Sequence, residues 1–301
     1  MSIMHSIFYH IIKSGKVEFD PLNPPDYKTK RKVEEEQAGK APVPKGVKFR
    51  LEKIDNVQVE YISWKSNQKD RVIYYIHGGG FVCGSSLQRR SFTGFMAKKL
   101  GYNVVSVDYC LAPENPFPSG VKECLQVYRE LLKNYSSDKI VFMGESAGEN
   151  LVLSTALMAR DEGLPLPAGI VTASPTVQYS KELDSYRENL KTDCMITNLS
   201  DEVKAVYFQS EDANVIENPY GAPIFGDFHG FPPILINVSG SEVLRDDAYL
   251  LNKKLQKQGV TTKVLCRKNA MHAYLVQTML PEAKQDLLKV KRFIEDVFET
   301  E

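Results

Sequence analysis

The chain reads as an α/β protein built on a mostly parallel sheet with helices on both faces, and three observations carry that reading. Continuous apolar runs near 72–76, 104–108, 139–143, 169–173, 234–238 and 262–266 mark strands buried on both sides. Helical stretches near 88–100, 119–134, 147–162, 245–258 and 282–298 fall between them, the alternation a parallel sheet requires. Two earlier segments, Lys48 to Lys53 and Val57 to Ile62, alternate like strands with one solvated face, so eight strands are expected.

Taken in order, residues 1 to about 45 come first. Ile3, Met4, Ile7, Phe8, Ile11 and Ile12 form a helical stripe, expected to dock on the protein's own body. Lying on a membrane is disfavoured because only Lys13 and Lys16 supply nearby positive charge. Pro21, Pro24 and Pro25 break the chain, and Lys28 to Glu36 reads as a solvated helix face. The apolar stretch Ile7 to Ile12 is too short for a signal peptide, with no small-residue cleavage site behind it. No apolar run approaches the ~20 residues that span a bilayer. The mixed αβ pattern begins at Val47. It is interrupted only at about 177–217, which is polar, helical and long, and is expected to be an insertion.

Composition narrows the function. The 301 residues fit one large domain or two small ones, and 38 basic residues balance 38 acidic ones. Nothing therefore draws the chain to nucleic acid or an anionic membrane. Five widely spaced cysteines without a C-x-x-C favour a reducing compartment, expected to be the cytoplasm, over a disulfide framework. Cys83 is expected to act as a small buried hydrophobe.

Two motifs carry the chemistry. Ile140-Val141-Phe142-Met143 runs straight into Gly144-Glu145-Ser146-Ala147-Gly148, and a helix follows at once. Such a strand–turn–helix pushes a serine out on a sharp, strained bend, and the flanking glycines let neighbouring backbone pass where a Cβ would collide. Val72 to Ile76 likewise runs into His77-Gly78-Gly79-Gly80-Phe81, a loop free to turn its N–H groups toward one developing negative charge. No phosphate-loop pattern accompanies it. Together they describe an acyl-transfer site with Ser146 as nucleophile, a hydroxyl that needs a base within hydrogen-bond reach.

In these motifs the chain resembles the α/β-hydrolase family, and within it the hormone-sensitive-lipase-like carboxylesterases. The resemblance extends to Asp108-Tyr109-Cys110-Leu111-Ala112-Pro113-Glu114 with Pro116-Phe117-Pro118, and to Asn218 to Pro223. Pro232 to Leu235, Gly240 to Asp247 and Met271-His272-Ala273 continue it in register. It implies an α/β-hydrolase: a mostly parallel eight-stranded sheet with helices on both faces and a helical cap. Residues 1–45 would form an N-terminal cap segment and 46–301 the catalytic domain, with a cap insertion at about 177–217. Of five histidines, His5 and His10 lie in the N-terminal segment, His77 in the glycine loop and His229 in a turn-like stretch. His272, between the 262–266 strand and the last helix, stands where the fold presents its base. The acid should follow strand 234–238, where Glu242, Asp246 and Asp247 compete; the family's acid-x-L-x-D pattern maps to Glu242. Asp246 and Asp247 open a helix, which is reason enough for carboxylates there. The backbone N–H groups of Gly79, Gly80 and Ala147 would receive the oxyanion.

Two positions depart from the family pattern. Glu149 stands where glycine is usual and is expected to be solvated, since an unpaired buried carboxylate is costly. Cys110 replaces an arginine, which removes a structural ion pair. The expected function is a serine carboxylesterase for small, short-acyl esters with no metal or organic cofactor. A deacetylase of acylated sugars, an amidase or a lactonase would use the same triad. A catalytically silent receptor of the same fold is the reading from another class, and the presence of both Ser146 and His272 weighs against it. The expected partner is a small-molecule ester, with no nucleic acid and no integral membrane segment; a homodimer is left open.

Overall fold

The computed structural model describes residues 2–299. All eight strands are present: β1 (Lys48–Ile54), β2 (Val57–Ser63), β3 (Gln68–Ile76), β4 (Tyr102–Asp108), β5 (Ile140–Glu145), β6 (Gly169–Ala173), β7 (Ile234–Ser239) and β8 (Thr262–Arg267). They lie in the order β1-β2-β4-β3-β5-β6-β7-β8. β2 is antiparallel to both its neighbours, and every pairing from β4 to β8 is parallel.

Helices α1 (Ile3–Ser14) and α2 (Tyr27–Ala38) precede the sheet, and α3 (Ser86–Leu100), α4 (Ser119–Asn134) and α5 (Ala147–Asp161) alternate with its strands. Between β6 and β7 lie short turns: α6 (Ser185–Glu188), α7 (Leu199–Glu202), a π-helical turn Val203–Phe208, α8 (Ala213–Ile216) and a 3-10 turn Pro223–Phe225. The long α9 (Arg245–Lys257) and α10 (Pro281–Glu299) complete the chain.

The period of two along a strand sorts side chains to two cores. Val72, Tyr74 and Ile76 of β3 pack with Val121 and Leu125 of α4, Leu151 of α5 and Leu251 of α9. Ile73 and Tyr75 point the other way, into a cluster with Phe92 and Met96 of α3 and Leu287, Val290 and Ile294 of α10. Each such fully buried aliphatic side chain contributes about 1.5–3 kcal/mol. α5 lies at the centre of this packing and is buried at every position from Ala147 to Ala159.

Three expectations need correction. β8 is not buried: it is the edge strand, and its residues are half-buried or exposed, because no further strand among the described residues pairs beyond it. The apolar stripe of α1 is split. Phe8 and Ile12 pack on the body with Tyr9, but Ile3, Met4, Ile7 and Ile11 face outward, because the inner face is set by His5, Phe8 and Ile12 at helical spacing. The stretch from 177 to 217 is helical only in four- to six-residue turns and is otherwise irregular. No helix among the described residues is long and apolar enough to cross a membrane.

Candidate active site

The site gathers at the C-terminal ends of the central parallel strands, where loops from β3, β5, β7 and β8 meet. Ser146 sits between β5 and α5 with φ 54° and ψ −125°, a strained conformation for a residue with a side chain. The bend requires its glycines. A Cβ on Gly144 would come 2.4 Å from the Gly148 carbonyl oxygen, and one on Gly148 would come 2.2 Å from that of Ile76. The Ser146 N–H donates to the Ala173 carbonyl at 2.8 Å, which ties the bend to β6.

His272 and Glu242 converge on this serine from the loops after β8 and β7. His272 Nε2 lies 2.9 Å from Ser146 Oγ, and its Nδ1 lies 2.6 Å from Glu242 Oε2. The second oxygen of Glu242 accepts the Ser239 N–H at 2.7 Å, and Glu242 is fully buried. Burial of the His272 ring disfavours its charged form, but the hydrogen bond and charge of Glu242 outweigh it, and the net pKa is raised. The loop carrying Glu242 is braced by the irregular 189–193 stretch: Asn189 donates to the Glu242 carbonyl at 2.8 Å, and Asp193 accepts the Val243 N–H at 2.9 Å.

The competing acids sit elsewhere. Asp246 accepts from Ser185 N–H at 2.8 Å and pairs with Arg245 at 2.7 Å. Asp247 accepts from Val177 N–H and Gln178 Nε2 at 3.4 and 3.3 Å. Both hold the segment after β6 to α9, a more specific role than a favourable helix start.

The glycine loop runs against the nucleophile: a Cβ on Gly78 would lie 3.0 Å from Ser146 Cβ. Gly79 (φ 131°) and Gly80 (φ 63°) have backbone conformations that side chains rarely adopt, and a Cβ on Gly79 would overlap the Cys83 carbonyl. Ala147 opens α5 beside them. Glu145 braces this loop together with Arg89 and Tyr75. Glu145 Oε1 accepts the Gly78 N–H at 2.8 Å and Arg89 Nε at 2.7 Å, and its other oxygen accepts the Tyr75 hydroxyl. A residue between Gly144 and Ser146 faces away from the nucleophile by the alternation of β5, which is the one available signal. From α2, Arg31 Nε donates to the Val82 carbonyl at 2.6 Å, and its terminal nitrogen reaches Ala112 O and, at 2.9 Å, Glu114. Arg31 therefore supplies a guanidinium to the stretch where Cys110 replaces arginine. Cys110 N–H itself donates to Glu123 at 2.6 Å. His77 stacks on Tyr109 and its Nδ1 lies 2.9 Å from Gly78 O. Cys83 is half-buried rather than fully buried, and burial pushes its thiol up to about 11.

Glu149 overturns the expectation of a solvated carboxylate. It is fully buried, because α5 is buried on all sides. One oxygen accepts the Thr176 N–H at 3.2 Å, and the other has no partner among the described residues. Burial holds its pKa well above the ordinary carboxyl range, and neighbouring Asp247 adds to the effect. His229 is on the surface, paired with Asp227, and His10 is exposed. An open cleft of about 1080 Å³ lies against β1 and β2, lined by residues such as Arg50, Tyr61, Glu130 and Tyr135, and contains none of Ser146, His272 or Glu242. Among the described residues no group of three or more His, Cys, Asp or Glu gathers to hold a metal.

Residues 73–276 match the model of the alpha/beta hydrolase fold family. Over 225 residues, 74% of each chain, the sequence is 29% identical to an esterase of Acinetobacter venetianus. It is 33% identical over 233 residues to Esterase LipU of Mycobacterium tuberculosis, covering 75% of this chain and 78% of that one. A crystal structure of an esterase from the bacterial hormone-sensitive lipase family superposes with a TM-score of 0.89 at 28% identity over 99% of both chains.

Proposed function

The chain belongs to the alpha/beta hydrolase family, in its hormone-sensitive-lipase-like group of carboxylic ester hydrolases, and on that premise we propose a serine carboxylesterase for small, short-acyl esters with Ser146, His272 and Glu242 as its triad. One observation carries the assignment: the unbroken line of hydrogen bonds from Glu242 through His272 to Ser146, at 2.6 and 2.9 Å.

In this reading His272 Nε2 takes the Ser146 proton as Oγ attacks the ester carbonyl. Glu242 holds the imidazole in the tautomer with its proton on Nδ1 and stabilises the imidazolium. The N–H groups of Gly79, Gly80 and Ala147 stabilise the oxyanion; loss of one such donor typically costs ~3 kcal/mol. His272 then protonates the leaving alcohol and activates the water that frees the acid from the acyl-enzyme. The chemistry uses side chains and backbone alone.

Residues 1–45 and about 177–217 form the cap over a catalytic domain spanning 46–301. Aromatic packing supports a small acyl site: Tyr207 stacks on Phe81, directly after the glycine loop, at 3.8 Å, and Phe117, Tyr179 and Phe208 fill the space around it. The cysteines among the described residues are all free thiols, which supports a reducing compartment such as the cytoplasm. A p-nitrophenyl ester series from acetyl to long acyl tests the reading. Turnover should fall as the acyl chain grows; preference for emulsified long-chain esters, or no hydrolysis at all, refutes it.

A further inference from the structure

The loop that carries His272 is not held by strand pairing. Ala273, directly after the base, has φ 50°, a strained value for a residue with a Cβ. The two amides flanking His272 are instead tied by side chains from distant elements. The Ala273 N–H donates to Ser174 Oγ at 2.9 Å. The Met271 N–H donates to His5 Nε2 at 3.0 Å, across 266 positions of sequence.

His5 lies on the inner face of α1 and is fully buried. Around it, Phe8, Tyr9 and Ile12 pack on Ala270, Met271, Tyr274 and the start of α10. Because Nε2 accepts a hydrogen bond, the ring proton of the neutral imidazole resides on Nδ1. That atom lies 3.9 Å from Glu282 Oε2, and Glu282 in turn accepts the N–H and hydroxyl of Ser2. Burial lowers the His5 pKa, against the pull of Glu282, so the ring stays neutral and its Nε2 lone pair remains available.

An apolar side chain of similar size would fill the same space and would leave the Met271 N–H without its acceptor. We infer that His5 is a positioning residue for catalysis: by anchoring Met271 it sets where His272 Nε2 stands relative to Ser146. The inference deepens the proposed function and rests on His272 being the base. Misplacement of a reacting group by about 1 Å can cost on the order of 10²-fold in rate, so an anchor one residue away matters.

The test compares His5→Phe with His5→Gln in the full chain, with p-nitrophenyl acetate as substrate. Glutamine Oε1 reaches about as far as imidazole Nε2 and accepts an N–H; phenylalanine fills the volume and accepts nothing. His5→Phe should lower kcat by ten- to a hundredfold with KM within threefold, and His5→Gln should recover kcat to within threefold of wild type. Ile7→Ser, on the outer face of the same helix, should change neither constant. Equal kcat in the Phe and Gln variants, or a lower value for Gln, overturns the inference, because His5 would then be packing alone. If His5→Phe does not fold, hydrogen exchange across residues 269–275 decides. Protection in wild type and His5→Gln that is lost in His5→Ala upholds the anchor; free exchange in wild type, or equal protection in all three, overturns it. An inert wild type, or full activity in His272→Ala, would instead remove the reading of the base, which separates the two failures.

Discussion

Two acidic residues near Ser146 are equally inaccessible to water and differ in their partners. Glu242 meets a histidine ring nitrogen with one oxygen and a backbone N–H with the other. Glu149 meets one N–H, has an oxygen without a partner among the described residues, and lies close to another buried acid, Asp247. Burial alone favours the neutral acid; partners decide whether that preference is reversed. Glu242 thus has a partner for each oxygen, and Glu149 is a carboxyl whose pKa burial holds well above the ordinary range, inside the helix that follows Ser146.

The largest effect should come from breaking the partnered side of this comparison. Ser146→Ala and His272→Ala should each remove ester hydrolysis, with losses of similar size that do not add in the double variant, because triad members act as a unit. Initial-rate assays on the folded variants check this. Glu242→Gln keeps the shape and removes the charge, and kcat should fall on the order of 10³–10⁴-fold, as loss of the correct tautomer does in serine hydrolases.

A pH profile sharpens the comparison next. Glu242 raises the His272 pKa, so the neutral base forms only above the ordinary histidine value, and the acid limb of kcat/KM should lie above about 6.5. In Glu242→Gln the residual activity should show that limb at lower pH. An unmoved limb would detach Glu242 from the base.

Glu149 should act on stability instead. An acid whose pKa is raised by folding stabilises the native state fully below its unfolded value and loses that contribution as pH climbs toward the folded value. Asp247, pushed up to about 8 mainly by burial, follows the same sign. Wild-type Tm should therefore fall between about pH 5 and 8, and Glu149→Gln should flatten the fall, gaining ~2–4 °C at pH 8 with kcat within threefold of wild type. Thermal melts across pH read this directly, and a Tm that rises over the same range would mean that Glu149 is charged in the fold. The smallest change belongs to Asp246→Asn. Its pair with Arg245 is partly exposed, and about 0.5 kcal/mol or less should be lost without effect on kcat.

Much of this was readable along the chain. Val72 to Ile76 and Ile140 to Met143 are apolar without interruption because both faces of those strands are covered; Gly144 is required by a contact within the bend and Gly148 by the passing Ile76 carbonyl. The burial of β8 was misjudged because Val264 and Leu265 are apolar wherever the strand lies, and edge position is a matter of topology. Glu149 was misjudged because a charged side chain in a first helical turn is usually solvated, and only the tertiary packing shows that α5 has no solvated side at that turn. His5 carried no signal beyond its helical spacing from Phe8 and Ile12, because its partner is 266 positions away.

The strands, the bend at Ser146 and the glycine loop were legible as local motifs, although the bend and the loop are also shaped by each other across about 70 positions of sequence, as Gly148 against Ile76 shows. His272 could be singled out only by its place between the last strand and the last helix. The contact of Glu242, and not of Asp246 or Asp247, with His272, the burial of Glu149 and the hydrogen bond from Met271 to His5 were decided by tertiary structure. Each depends on which groups the fold brings within about 3 Å and on how much water it removes from them, and neither quantity is written in the order of the residues.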